Sequence, residues 1–349
     1  MTAPGGPGRD PGARRPYHPG IVAPSTSDPQ PPFDPARFHP RPLPGRDHRV
    51  GIGAFARPTE PGDSAAAALD ALPDVLGVRA LRGLATAVAT AHRAGRAVLW
   101  GLGGHVVKVG LGPLLVDLLE RGFVQGFVLN GAAAIHDAEV ALVGSTSEDV
   151  GAGLFDGSYG SAEETGRLFA EASERAVRED LGFGTALGRT LLDRSPAHAE
   201  RSVLCAAWQA GVPVTVHVAV GTDTVHMHPA CDGAALGTAT HRDFLRLAGL
   251  VEGLDGGVYV NVGSAVVLPE VFMKAVAMVH NARHAEESDA VPLRITTGNL
   301  DMLRHYRPKV NVLERPAVQG FEITGHHELN VPLLRLAILQ AAARAESDQ

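Results

Sequence analysis

Histidine, lysine and aspartate residues stand in glycine-rich segments that follow short apolar runs of the sequence. His105 and Lys108 lie in LGGHVVKVGLG, and Asp223, His226 and His228 lie in GTDTVHMHPACDG. Histidine transfers protons near neutral pH, a carboxylate binds cations or ribose hydroxyls, and a lysine buried beside a cofactor can act as a base or form an imine. We therefore treat these residues as candidate catalytic residues. A surface lysine and an aspartate that caps a turn are the plainer interpretations.

A metal site is a second interpretation of the histidines. His226 and His228 are separated by one residue, so on an extended segment they face the same side. With a further ligand from His326 or His327, such a pair can bind zinc or iron and support a hydrolase or a lyase. No spacing in the sequence matches an established metal motif, so we favour the polar rim of an active site and assign no metal ligands.

The elements that must position these residues alternate along the body of the chain. Apolar runs that end in glycine predict strands, and stretches with helical apolar spacing predict helices. The predicted strands are 97–101, 126–131, 212–220, 257–263 and 292–298, and the predicted helices are 65–95 (divided at Pro73), 111–122, 161–177, 198–210, 240–254, 269–284 and 332–345. Continuous apolar strands imply a parallel sheet that is covered on both faces. The pattern predicts a three-layer, Rossmann-like α/β fold with helices on both faces of a parallel sheet.

Ligands of such sheets bind beyond the carboxyl ends of the strands, so the predicted loops there are the places to look. Small residues follow the strands directly, as in GAAAIHDAE after 126–130, which we expect to be a loop. They let the phosphates or sugars of a cofactor approach the backbone. GLGGHV lacks the third glycine of the GxGxxG fingerprint, and one glycine turn is also ordinary in βα connections. The repetition of small residues favours a dinucleotide or a similar cofactor.

The composition excludes several classes of partner. Lysine and arginine number 31 against 38 acidic residues, a formal net charge of −7, and aromatic residues make up 5% of the chain. Nucleic acids bind basic surfaces or aromatic stacking platforms, so we expect no nucleic acid partner. No apolar run approaches the roughly 18 residues of a membrane span, and the N-terminus lacks the apolar core of a signal peptide. Two cysteines, Cys205 and Cys231, make no disulfide framework, so we expect a cytoplasmic protein without a membrane partner.

Proline divides the chain into two regions. Fifteen of the 25 prolines precede Gly62. A segment so poor in contiguous apolar residues cannot bury enough surface to offset the entropy of ordering. We expect residues 1–62 to be a largely disordered Pro/Gly-rich tail and residues 63–349 to form a single α/β domain.

The body resembles deoxyhypusine synthase and its bacterial relatives, within the NAD-binding folds that include sirtuins. The resemblance runs distantly over residues 97–301, through GLGPLLVDLLERGFVQGFVLNGAAAIHD, VPVTVHVAVGTD, GGVYVNVGSAVVLPEVFMKAVAMV and DAVPLRITTGNLD. It implies NAD at the strand ends, chemistry on an amine through an imine with transfer of an aminoalkyl group, and a homo-oligomer, specifically a homotetramer. The NAD contacts that it implies are Asn130, Gly131, Ala132, Gly263, Ser264 and Asp289.

One position departs from the family pattern. The lysine that carries the imine in the synthases corresponds to Leu268 of this chain. We therefore expect an NAD-dependent transferase or oxidoreductase that acts on a cationic amine or polyamine-type substrate, by aminoalkyl transfer or amine oxidation, without authentic deoxyhypusine synthesis. Two alternatives stay open, namely the metal-assisted hydrolase or lyase and a non-catalytic, nucleotide-binding member of the fold.

Overall fold

The computed structural model describes residue 30, residues 32–287 and residues 289–347. The chain separates into two compact units, residues 1–49 and residues 50–349. Within the first unit, the described residues form two short 3₁₀ turns, Pro35–Arg37 and Leu43–Gly45. The tail predicted for residues 1–62 falls partly outside the described residues, since 1–29 and 31 are not among them.

Six parallel strands form one sheet in the second unit. They are β1 (Val98–Leu102), β2 (Gly126–Asn130), β3 (Val214–His217), β4 (Val258–Val262), β5 (Ile295–Asp301) and β6 (Ala317–Thr324). Every pairing is parallel, and the strand order is β3-β2-β1-β4-β5-β6. This order is that of a Rossmann dinucleotide-binding sheet.

Helices connect the strands and cover the sheet. They are α1 (Ala65–Ala71), α2 (Leu76–Arg93), α3 (Gly104–Lys108), α4 (Gly112–Glu120), α5 (Gly131–Val143), α6 (Val150–Asp156), α7 (Glu163–Arg178), α8 (Phe183–Asp193), α9 (Val203–Ala210), α10 (Gly233–Glu252), α11 (Val267–Glu286), α12 (Tyr306–Pro308) and α13 (His327–Ser347). A π-helical turn, Lys309–Glu314, follows α12. Within the described part of the chain, no helix combines the length and the apolarity that a membrane crossing requires.

The side chains of β1 show why the sheet has a helical layer on each face. Trp100 and Leu102 point into one apolar cluster, with Leu84 and Val88 of α2, whereas Leu99 points into the other cluster, with Phe272 of α11. Successive residues of a strand face opposite sides, so an entirely apolar strand needs cover on both. The predicted three-layer, Rossmann-like α/β fold is confirmed.

Some predicted elements have to be corrected. The segment 131–143, expected to be a loop, is helix α5, because the side chain of Asn130 caps its first turn by accepting a hydrogen bond from the Ala133 N–H (2.9 Å). The sequence prediction omitted α3 (expected as a loop), α6, α8, α12 and β6. Strand β6 lies at the edge of the sheet and mixes exposed and buried residues, so it lacks the continuous apolar run that marks the central strands.

Two buried aspartates fix the helices around the site. Asp137 on α5 accepts hydrogen bonds from the Val203 and Leu204 N–H groups at the start of α9. Asp243 on α10 accepts them from Gly184 in α8 and Val216 in β3. Burial raises the pKa of Asp137 to about 6 and the pKa of Asp243 to about 7. Asp137 thus holds the N-terminus of α9, and Asp243 ties the start of α8 to β3.

Candidate functional site

The strand order reverses between β1 and β4, and two glycine turns meet at their carboxyl ends. The Gly103 N–H donates to the Val262 carbonyl (2.8 Å), and a Cβ on Gly103 would lie 1.9 Å from the Gly263 carbonyl oxygen. Gly263 adopts φ +68°, a conformation that favours glycine. The close approach of these two turns therefore explains the glycines by itself. In open α/β sheets, ligands bind in the crevice at this reversal.

Two histidines from distant parts of the chain meet at this reversal. The ring of His105 on α3 lies 5.7 Å from the ring of His327, the first residue of α13, centroid to centroid. His327 is 1% exposed, and its Nε2 lies 2.9 Å from the position that a Cβ on Gly263 would take. Among the described residues, neither ring nitrogen of His327 has a hydrogen-bond partner. Burial lowers the pKa of His327, so the ring is held as a neutral imidazole.

The Ser264 side chain serves the fold. The Ser264 hydroxyl accepts a hydrogen bond from the Leu268 N–H (3.2 Å) at the start of α11. The Ser264 backbone carbonyl accepts one from the Asn261 side-chain amide (2.9 Å). Leu268 is fully buried in the apolar cluster that contains the stacked rings of Tyr259 and Phe272. The position matched to the family's lysine therefore lies inside the core and not in the crevice.

A carboxylate lies over the end of β2. A Cβ on Gly131, the first residue of α5, would be 2.0 Å from Asp223 Oδ2, so this glycine makes room for the carboxylate. Oδ2 of Asp223 is buried and has no hydrogen-bond partner within the described chain. Burial raises the pKa of Asp223, and the nearby His226 opposes that shift. The β2 end thus presents an acidic group with unused hydrogen-bonding capacity.

His226 holds the turn that carries Asp223. Its Nδ1 accepts hydrogen bonds from the Gly221 N–H (3.1 Å) and the Asp223 N–H (3.4 Å). A ring nitrogen that accepts carries no proton, so the proton of neutral His226 is on Nε2, which lies 3.8 Å from Asp223 Oδ2. That distance is too long for a hydrogen bond. His226 therefore positions Asp223 and faces its carboxylate.

His228 points elsewhere, which corrects the expectation that His226 and His228 share one side. The segment Thr224–Met227 is a 3₁₀ turn and not extended, and His228 Nε2 lies 3.1 Å from Glu163 Oε2 on α7. His326 instead faces Glu328, with 3.5 Å between His326 Nδ1 and Glu328 Oε1. The residues that the structure describes include no group of three His, Cys, Asp or Glu side chains that could hold a metal ion.

A cavity of about 920 Å³ opens beside α5, within the usual size range of ligand pockets. Its lining brings together Lys108, Ala132 and Asp223, all of which the sequence had singled out. Gly104, the first residue of α3, packs against this wall, because a Cβ on Gly104 would lie 2.8 Å from the Ala132 Cβ. Lys108 is exposed at the end of α3 and lacks the burial that would activate it as an imine-forming amine.

The cavity also contains side chains that were not among the predicted site residues. His136 and Glu139 lie three residues apart on α5, and Thr146 hydrogen-bonds to both of them. Reading 131–143 as a helix would have placed His136 and Glu139 on one face. The missed signal was that helical spacing, hidden by the expectation of a loop.

Asp289 stands apart from the other predicted residues. It lies in the connection from α11 to β5, at the amino end of the sheet. Arg294, just before β5, marks that end by donating its N–H to Asp255 (2.9 Å), which precedes β4. The crevice and the cavity lie at the opposite, carboxyl ends of the strands.

The chain matches no protein-family model and no curated protein. It is similar in structure to a protein described as a conserved LOR/SDH protein from Methanococcus maripaludis S2, with a TM-score of 0.48 and 14% identity over 76% of this chain and 69% of that one. ArgZ, an arginine dihydrolase of the ornithine–ammonia cycle in cyanobacteria, gives 0.45 and 17% over 77% of this chain and 34% of that one. A protein described as a deoxyhypusine synthase from Entamoeba histolytica gives 0.45 and 9%, over 80% and 94%. With identities of 17% or less, these are likenesses of fold alone.

Proposed function

We propose that this chain is an NAD-dependent enzyme that acts on a cationic amine or polyamine-type substrate, by amine oxidation or aminoalkyl transfer. The observation that carries the proposal is His327, buried where the strand order reverses, with both ring nitrogens unpartnered among the described residues. Buried polar groups are nearly always hydrogen-bonded, so these nitrogens favour a polar ligand in the crevice. Sheets with this strand order bind dinucleotides at the reversal, which supports NAD as that ligand.

The residues around the reversal fit a dinucleotide. The rings of His105 and His327 lie side by side at the reversal, and the His327 ring packs against the turn at Gly263. Asn130 ends β2, and Gly131 and Ala132 begin α5 directly after it, with the Asp223 carboxylate filling the Cβ space of Gly131. In our proposal these groups hold NAD, whereas the Ser264 hydroxyl contributes only by capping α11.

The charge of the cavity supports a cationic substrate. Its lining carries four carboxylates, those of Glu139, Glu148, Glu164 and Asp223, against two fixed cations, Lys108 and Arg194. Arg194 is already paired with Glu171 outside the lining (2.6 Å). Clefts lined by one sign of charge concentrate ligands of the opposite sign. An ammonium group is therefore the favoured occupant, with Asp223 as its principal acceptor.

NAD, when bound, supplies the acceptor for a hydride from the carbon that bears the amine nitrogen. The chain's own residues bind and orient the reactants. Asp223, positioned by His226, holds the ammonium group, and Lys108 lies at the rim of the cavity. The close approach of Gly104 to Ala132 packs α3, which follows β1, against α5 beside the cavity. His228, bonded to Glu163, holds the Asp223 segment against α7. A homotetramer and a cytoplasmic location stay predictions.

Calorimetric titration of the full chain with NAD⁺ and NADH tests the proposal. We expect binding by the wild-type chain and at least a tenfold loss of affinity in H327L, about 1.4 kcal/mol. H241L, at an exposed histidine of α10, is the matched control and keeps the wild-type affinity. Absence of binding up to about 1 mM dinucleotide, by both calorimetry and thermal shift, contradicts the proposal.

The substrate class is tested separately by titration with spermidine as the probe. D223N removes the charge and keeps the shape, so we expect the spermidine affinity to fall by about tenfold. D232N is the control, because Asp232 is exposed and caps α10, a role that asparagine also fills. Equal affinities of D223N and the wild type contradict the assignment of Asp223.

A further inference from the structure

Three side chains in the cavity form a hydrogen-bonded chain. The His136 Nδ1 lies 2.7 Å from the Thr146 hydroxyl oxygen, and that hydroxyl donates to Glu139 Oε2. Glu139 Oε1 accepts a further hydrogen bond from the Thr165 hydroxyl (3.4 Å). His136 and Glu139 are about one-fifth exposed (20% and 23%), so the chain sits at the cavity wall and not in open solvent.

The direction of these hydrogen bonds fixes the tautomer of His136. The single proton of the Thr146 hydroxyl is given to Glu139, so this oxygen can only accept from His136. His136 therefore carries its proton on Nδ1, and the lone pair is on Nε2. An acid that orients a histidine through its Nδ1 leaves Nε2 available as a base.

The Cδ2–Nε2 edge of the His136 ring lies beside the start of α3, and His136 is part of the cavity lining. The His136 Cδ2, which is bonded to Nε2, lies 3.3 Å from the position that a Cβ on Gly104 would take. Gly104 begins α3, directly after the turn that ends β1. His136 therefore lines the proposed amine cavity close to the turn that ends β1, where the dinucleotide is proposed to bind.

The charges around His136 favour its neutral form. Burial lowers the pKa of His136, and the cationic Lys108 and the His105 ring, both on α3, lower it further. The Glu139 carboxylate, on the same helix, faces the ring with 4.0 Å between His136 Nδ1 and Glu139 Oε2. Glu148 and Glu164 are the other carboxylates on this side of the cavity.

Resting on the proposed function, we infer that His136 is the general base of the reaction, with Thr146 and Glu139 as positioning residues. The Nε2 of His136 takes a proton from the substrate ammonium, which leaves a neutral amine. The C–H bond on the adjacent carbon then breaks, and its electron pair leaves as hydride to NAD⁺, the oxidant. The nitrogen lone pair forms the C=N bond of an iminium product, and His136 returns its proton to water.

The first test needs neither NAD nor substrate. Nitrogen-15 NMR of the histidine rings in the full chain, assigned with H136Q, reports the tautomer directly. We expect neutral His136 with the proton on Nδ1 at pH 7, and loss of that preference in T146V but not in T146S. A proton on Nε2, or an imidazolium at pH 7, overturns the inference.

The second test follows NADH formation with spermidine, putrescine and agmatine as amine probes. We expect kcat to fall by about 100-fold or more in H136Q, with the NAD⁺ affinity unchanged. The kcat of T146V is expected to fall by about tenfold, whereas T146S keeps the hydroxyl and the wild-type kcat. K108Q removes a cation that lowers the pKa of His136. The pH profile of kcat in K108Q is therefore expected to shift to higher pH. H241Q, at an exposed histidine of α10, is the control and behaves as wild type.

The outcomes separate the two proposals. If H136Q keeps the wild-type kcat while NADH still forms, His136 is not the base and the proposed function stands. If the wild type binds NAD⁺ but oxidises none of the amine probes, or does not bind it, the proposed function fails and the base assignment fails with it. An unchanged pH profile in K108Q, with H136Q impaired, also contradicts a base titrating at His136.

Discussion

The carboxylate of Asp223 occupies the space in which Gly131 would carry a side chain. Oδ1, Cγ and Oδ2 of Asp223 lie 2.9, 2.5 and 2.0 Å from the position of a Cβ on Gly131. The two residues come from different βα connections, after β3 and after β2. The glycine that resembled a nucleotide-binding residue in the sequence is therefore required by a protein carboxylate.

G131A tests this relationship. The added methyl group must displace Asp223, and overpacking of this kind costs about 1–3 kcal/mol. We expect urea unfolding to show that loss of stability, together with weaker spermidine binding. G233A is a matched control, since Gly233 is the first residue of α10 and nothing lies within 4 Å of its Cβ position. G233A should equal or exceed the wild type in stability; equal stability of G131A would show that Asp223 moves freely.

The H327L substitution should raise the stability of the free protein while it weakens the binding of NAD. The His327 ring nitrogens lack partners in the described structure, and an unsatisfied buried polar group costs about 1–3 kcal/mol. Leucine removes that cost, so we expect a higher melting temperature without NAD. H280L provides the contrast, because His280 Nε2 accepts the Leu293 N–H (3.2 Å) and its removal leaves that donor unpaired. A decrease in melting temperature in H327L as large as that in H280L would contradict the interpretation of His327 as a ligand-binding group.

The stability should depend on pH through Asp243. Its folded pKa is raised to about 7, above the ordinary value of 3.8, so its stabilising contribution is complete below about pH 3.8 and is lost as the pH rises through 7. Each pH unit in that window removes at most about 1.4 kcal/mol. Asparagine at position 243 does not titrate. The unfolding free energy of the wild type minus that of D243N, measured in urea, should therefore decrease from pH 5 to pH 8.

His217 contributes a slope of the opposite sign. Burial lowers its pKa to about 3, so its contribution is present above about pH 6.5 and is lost as the pH falls. The comparison of wild type with D243N cancels this slope, because both proteins contain His217. A difference that is constant from pH 5 to 8 would contradict the raised pKa of Asp243.

The boundary of the α/β domain can be tested by truncation. We predicted a boundary near residue 62, yet Arg57 donates its N–H to the Ala71 carbonyl and Asp74 donates to the Ala54 carbonyl, each at 2.9 Å. We expect both 50–349 and 63–349 to fold, with 63–349 less stable by at least about 1–2 kcal/mol because hydrogen bonds such as these two are lost. Thermal unfolding compares the two chains. Aggregation of 63–349 would show that residues 50–62 are part of the domain.

The sequence predicted part of the candidate site. Five of the six strands and the division of the first helical stretch at Pro73 were predictable, because apolar runs, helical periodicity and proline act over a few residues. Lys108, Ala132 and Asp223 were chosen as residues of such turns, and they do line one cavity. Parallel strands bring their carboxyl ends to one edge, so this outcome follows from the fold class.

The remaining features were decided only by tertiary structure. His226 and His228 are neighbours in sequence, yet a 3₁₀ turn sends one to Asp223 and the other to Glu163. His105 and His327 are far apart in sequence, yet the packing of α13 brings their rings together. By itself, the sequence determined the α/β class and the edge of the sheet where chemistry belongs. Which side chains meet there depends on how distant helices pack, and no local pattern records that.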